Sequence, residues 1–191
     1  MFEHFKEVYE GLRGHAHHAA SWEEAANIVM QVVADISPDK TVLGPLPESL
    51  MSDLKTKLDG ANSAYLEPPY LFEELPGRID EAEVGVSWVD HAIVDSGTLL
   101  EIATNDSDRL ISTLPRVHIG IVTRDRVIEH LMDSASIVKE AVMRNDQNCV
   151  VSFLSGPSRT GDIEMQLTLG VHGPEVAHAI IVDEEAPAHA H

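Results

Sequence analysis

Cysteine is almost missing from this chain: Cys149 stands alone among 191 residues. One thiol forms no intramolecular disulfide and cannot supply the several thiolates of an iron–sulfur cluster. It opens an apolar run, Cys149 to Leu154, so it reads as a buried structural thiol rather than a nucleophile. Basic residues are scarce too. Lys and Arg number 13 against 32 Asp and Glu, a formal net charge of −19. So acidic a surface repels nucleic acid and anionic lipid, and neither is expected as a partner. No apolar run approaches membrane-spanning length, and the opening MFEHFKEVYEG has no apolar signal region. A cytoplasmic protein is the expectation.

The hydrophobic fraction is 43%, enough for one α/β domain that needs no disulfide or metal to hold its core. Phe2, Phe5, Tyr9 and Leu12 recur at helical spacing. Ser21 and Glu24 form a capping box that opens a helix to about Asp35, with Ala25, Ile28, Val29, Val32 and Val33 on its apolar side. Residues 1–37 therefore read as an N-terminal helical segment. Thr41 to Leu43 reads as a short strand, Pro47 to Leu58 as a helix with Pro in its first turn, and 61–75 as an irregular loop.

From Glu83 the pattern changes. Strands are predicted at 84–89, 92–94, 99–103, 118–123, 149–154 and 177–182, with a turn at Asp95-Ser96-Gly97-Thr98. Arg126 to Arg144 carries a 3.6-residue apolar period and predicts one long, core-packed helix. Asp162 to Leu169 predicts a short one. Strands alternating with helices imply right-handed crossovers, hence an open, mainly parallel sheet flanked by helices over residues 38–183. The tail 184–191 is acidic, rich in Pro, Ala and His, and expected to fray.

The stretch Ser155 to Pro174 carries the most chemistry. A strand that breaks into a glycine-bearing loop and opens a helix aims backbone N–H groups and the positive helix end at one spot. Ser155, Gly156, Ser158, Arg159, Thr160 and Asp162 bring hydroxyls, a guanidinium fork and a helix start together, which are parts that bind carboxylate or phosphate. The same residues also serve as a helix cap, with Arg159 paired to one of the many acids. No Gly-Lys-Ser/Thr follows, so this is not a Walker loop. Asp95 follows a strand and precedes Gly97 and Thr98; it is a candidate general base, or a turn residue bonding its own backbone. Glu101 sits in an apolar strand and is the second catalytic candidate; facing inward, its pKa would rise. His118 and His172 are candidate ligand-binding or proton-shuttling groups, or satisfied structural residues. His15, His17 and His18 invite a metal reading, with His15 and His18 on one helix face. No partner stands at a recognisable metal-site spacing, so no metal is expected.

From about Glu83 to Val182 the chain resembles the LUD domain of the lactate-utilisation protein C family. The resemblance rests on Val84-Gly85-Val86, Val94 to Leu99, Leu114-Pro115 with His118-Ile119, Ser155 to Thr160, Asp162-Ile163-Glu164 and Gly170 to Pro174. Ser96 stands where the pattern usually has Thr, and Gly161 where it has Ala. The resemblance implies a fold similar to the sugar-phosphate isomerase and CoA-transferase superfamily. It also implies a role in oxidising L-lactate to pyruvate beside lactate-utilisation proteins A and B, which carry the iron–sulfur clusters. This chain would carry no cofactor and act as an accessory subunit, whose 155–162 loop with Arg159, supported by Asp95, Gly97, Thr98, His118 and His172, binds a small anion or docks an acidic partner segment. The alternative is a stand-alone enzyme on a phosphorylated or CoA-linked substrate, with Asp95 or Glu101 as base or nucleophile.

Overall fold

The Ser21 capping box closes as its spacing predicts: Ser21 Oγ accepts the Glu24 amide at 3.2 Å, and the Glu24 carboxylate reaches back to the Ala20 amide at 2.7 Å. This detail belongs to a computed structural model that describes residues 1–144, 149–157, 159–161, 167–169 and 173–185, with backbone alone for 159–161 and 167–169. In chain order the elements are α1 (Phe2–Gly11), β1 (His15–Ala19), α2 (Trp22–Ile36), β2 (Thr41–Leu43), α3 (Glu48–Gly60), β3 (Tyr65–Leu66), α4 (Gly77–Asp80), β4 (Val84–Trp88), β5 (His91–Ile93) and β6 (Thr98–Ala103). There follow α5 (Asp106–Thr113), β7 (Val117–Thr123), β8 (Val127–Ile128), α6 (Ser134–Arg144), β9 (Val150–Leu154), β10 (Arg159–Gly161), β11 (Leu167–Leu169) and β12 (Val176–Val182).

Six strands form a parallel sheet in the order β1-β12-β7-β4-β2-β3. Its central strand β7 is buried along its whole length, as a strand covered on both faces must be. On one face, Val84, Val86, Ile119, Ile121 and Ile180 pack against α2 and α3 through Val29, Val33, Leu50 and Leu54. On the other, Val122, Ala177, Ala179 and Ile181 meet Phe5 and Tyr9 of α1. That second core also takes in Ala92, Val94 and Leu99 from a smaller sheet, ordered β8-β5-β6-β9.

The fold is thus α/β with a mainly parallel sheet between helices. Four local expectations are corrected. His15–Ala19 is a strand that pairs in parallel with β12, so residues 1–37 supply a strand to the main sheet as well as two helices. Strands β5, β6 and β9 do not join that sheet; they pair antiparallel in one of their own. The predicted 126–144 helix begins only at Ser134. Before it run a 3-10 turn, β8 and a second 3-10 turn, because Val127 and Ile128 are drawn into pairing with β5. Nor is α6 a core helix: Met143 is 75% exposed. Finally, Leu167–Leu169 is a strand, antiparallel to Arg159–Gly161, where a helix was predicted; residues 162–166 lie outside those described.

Candidate functional site

The turn joining β5 and β6 meets the loop after β9 because the strands are in register, Leu99 beside Leu154. One step beyond that pair, Thr98 Oγ1 and Ser155 Oγ lie 2.7 Å apart. The Thr98 hydroxyl also lies 3.2 Å from the Ser96 carbonyl, and in the pair with Ser155 either hydroxyl can donate. Both loops turn on a left-handed glycine, φ +55° at Gly97 and +83° at Gly156, where L side chains are strained. Both abut the end of α1. A Cβ on Gly97 would lie 2.9 Å from the Tyr9 amide nitrogen, and one on Gly156 would lie 2.9 Å from the Leu12 carbonyl oxygen. Gly97, Thr98, Ser155 and Gly156 therefore come together against the first helix. In the same turn, Ser96 Oγ is buried with no hydrogen-bond partner among the described residues.

Asp95 points elsewhere. Its Oδ1 accepts the Leu131 amide at 3.0 Å and its Oδ2 lies 3.4 Å from His130 Nδ1. It thus ties the β5–β6 turn to the segment leading into α6. The backbone that its carboxylate bonds is a distant one, that of Leu131, and not that of its own turn.

Glu101 lies on the same strand as Thr98 but three residues on, so the two side chains leave opposite faces of β6. Glu101 points inward and is 2% exposed. Its Oε2 accepts the Ser112 hydroxyl of α5 at 2.7 Å, and its Oε1 has no partner among the described residues. Burial, only partly offset by the Ser112 bond and reinforced by nearby Asp108 and Asp90, pushes its pKa up to about 7. Such a carboxyl is half protonated at neutral pH, the condition a general acid–base group needs. Asp90, also buried, accepts the Ile102 amide at 2.6 Å.

His118 is buried beside the same interior layer. Its Nε2 lies 2.8 Å from Ser87 Oγ, and burial lowers its pKa to about 4, so the ring is neutral. Gly120 makes room: a Cβ there would meet Leu99 Cδ1 at 2.6 Å and His118 Cε1 at 3.3 Å. The structure therefore separates the candidates into a hydroxyl cluster at the loops and two buried polar pairs, Glu101–Ser112 and Ser87–His118. The backbone of Arg159 and Thr160 lies on β10, and β11 replaces the end of the predicted helix. Ser158, Asp162 and His172 lie outside the described residues.

Sequence reasoning missed two groupings. Trp88, at the carboxyl end of β4, lies 6.3 Å from the Trp22 ring, with the Arg126 guanidinium 5.9 Å above it. His15, His17 and His178 share one face of the sheet, which the helix expected at His15 concealed. Burial, with His15, His17 and His118 nearby, holds His178 down at about 3; burial, then His15 and Lys6, lowers His17.

A family model described as LUD domain matches residues 2–182. The chain is similar to proteins named Lactate utilization protein C. The one from Bacillus licheniformis is 32% identical over 109 residues, covering 56% of this chain and 45% of the relative. The one from Anoxybacillus flavithermus is 30% identical over 123 residues, covering 62% and 54%. The chain spans about half the length of the curated relatives it matches. A crystal structure of a DUF162 family protein from Deinococcus radiodurans has the same fold, with a TM-score of 0.63 at 17% identity over 94% of each chain.

Proposed function

The chain belongs to the LUD domain family, and on that premise we propose that it serves lactate utilisation as a component without a cluster of its own. In this reading it works in the cytoplasm beside iron–sulfur lactate-utilisation proteins A and B, which oxidise L-lactate to pyruvate. The relatives' names support the process, and the single cysteine supports the division of labour. Among the described residues, no helix is long and apolar enough to cross a membrane. The observation that carries a ligand role is the hydroxyl cluster of Thr98 and Ser155 between two glycine turns, with the unpartnered Ser96 Oγ beside it. A small anion held by the 155–162 loop would supply the acceptor that this hydroxyl lacks. Calorimetric titration with lactate, pyruvate and CoA, together with co-purification with the two cluster proteins, tests the reading. Binding of one anion, lost in Arg159→Ala at an unchanged melting temperature, is expected. No binding and no association would overturn it.

A second reading, a stand-alone enzyme acting on a phosphorylated or CoA-linked substrate, is favoured by Glu101, whose buried carboxyl has a pKa of about 7. Turnover by the purified chain alone, abolished by Glu101→Gln, would support it; no turnover would leave the accessory role.

A further inference from the structure

We propose that the imidazoles of His17 and His178, with His15 beside them, form a binding site for one divalent late-transition-metal ion on the edge of the parallel sheet. The His-x-His spacing on a strand sends both rings to the same face. Parallel pairing then sets His15 directly beside His178. The three rings form a column, His15 stacked on His178 at 4.8 Å between centroids and His17 on His178 at 5.3 Å.

The nitrogen separation is that of a ring-to-ring hydrogen bond, and it suits a chelate once the two rings turn their facing nitrogens toward a shared ion. His17 Nε2 and His178 Nδ1 are 3.0 Å apart. An ion bound at ~2.1 Å to each of two imidazole nitrogens spans about that separation when the angle at the ion is near a right angle. A tetrahedral ion needs a wider pair. Right-angled coordination by imidazole belongs to copper(II) and nickel(II), so these are the favoured occupants, ahead of zinc. Binding exchanges the hydrogen bond between the rings for two metal–nitrogen bonds. The donor ring takes its other tautomer: the proton held between the rings moves to that ring's far nitrogen, so both imidazoles stay neutral and both facing nitrogens offer a lone pair. As the side chains stand, no group of three His, Cys, Asp or Glu among the described residues converges on one point. The site is therefore a two-imidazole chelate completed by water, or by His15 after a side-chain rotation. His15 is exposed and makes that rotation by leaving its stack on His178. His18, pointing to the other face, lies 3.0 Å from Asp183 and takes no part.

The test must separate this site from the histidines of the tail. Nickel(II) is titrated calorimetrically into the full chain, into a His189→Ala/His191→Ala double variant, and into His17→Gln and His178→Gln separately. One equivalent should bind to the wild type and to the tail variant alike. Affinity should fall at least tenfold in each Gln variant and severalfold in His15→Ala, whose exposed ring can be removed without disturbing the core. Copper(II) bound to the tail variant should show nitrogen hyperfine structure from two or three equivalent imidazoles. Equal affinity in His17→Gln, His178→Gln and the wild type would overturn the proposal, and so would binding that vanishes with the tail histidines. Should the Gln variants fail to fold, unchanged affinity in the folded His15→Ala variant together with a copper spectrum lacking two nitrogens would do the same.

Discussion

Replacing Glu101 by Gln should raise the stability of the protein at pH 8 and do much less at pH 5. The carboxyl is 2% exposed, and one of its oxygens lacks a partner among the described residues. In the folded chain it keeps its proton up to about pH 7, whereas the unfolded chain releases it near the ordinary 4.5. Between those values folding takes up a proton, so this group makes the fold less stable as pH rises. At ~1.36 kcal/mol per tenfold change, the wild type loses about 3 kcal/mol by pH 8 relative to strongly acidic solution, of which about 2.5 falls between pH 5 and pH 8. Gln stays neutral throughout. Its carbonyl can still accept the Ser112 hydroxyl, and its amide adds a buried donor whose cost is the same at every pH. The quantity to measure is therefore the change in the stability difference between variant and wild type, from urea unfolding followed by Trp22 and Trp88 fluorescence at pH 5, 6.5 and 8. A rise of about 2.5 kcal/mol in favour of Gln is expected. A difference that stays flat across this range would refute the claim that Glu101 is buried as a protonatable acid.

His118 should show the opposite slope. Its folded pKa is lowered to about 4 from 6.5, so the unfolded chain binds the proton first. Stability is lost as pH falls below about 6.5, by about 3 kcal/mol at pH 4, and His118→Gln should flatten the acid limb of the same titration. Gly97→Ala forces a Cβ to within 2.9 Å of the Tyr9 amide nitrogen at a left-handed φ and should cost about 1–3 kcal/mol by urea unfolding. Thr98→Ala and Ser155→Ala should each cost about 1 kcal/mol. Combined, they should cost less than their sum, since both break the 2.7 Å contact; a strictly additive pair in a double-mutant cycle would deny that the contact matters. Leu99→Ala should cost about 2–5 kcal/mol, because Leu99 is fully buried in the core shared by the two sheets.

The elements legible in the sequence are those whose signals are local. The Ser21–Glu24 box, the stripe Val29, Val32 and Val33, and the apolar run of β7 each announce themselves within one turn or one strand. What stayed hidden depends on partners far away. His15–Ala19 has no β-branched residue and is a strand because β12 pairs with it. Helix α5 has two apolar residues, Leu110 and Ile111, too few for a periodic signal; its start was nonetheless written in Asn105, whose side chain caps the Asp108 amide at 3.0 Å. The 126–144 stripe is genuine only from Ser134 onward, since pairing with β5 captures Val127 and Ile128. For the candidate site, residue identity located the loops that meet at Thr98 and Ser155. It could not reveal which face of β6 Glu101 leaves by, because an uninterrupted apolar strand shows no alternation.

The pairing of β1 with β12 also orders events in the life of the molecule. His17 and His178 are 161 residues apart, and a ribosome adding about 5–20 residues per second takes about 8–30 s to cover that interval. Throughout that time the histidine strand has no ladder neighbour. The apolar side of α1 likewise waits for the alanines of β12 that will cover it. An ion seated between the two histidines needs both strands, so it can bind only once β12 has been made and has paired with β1.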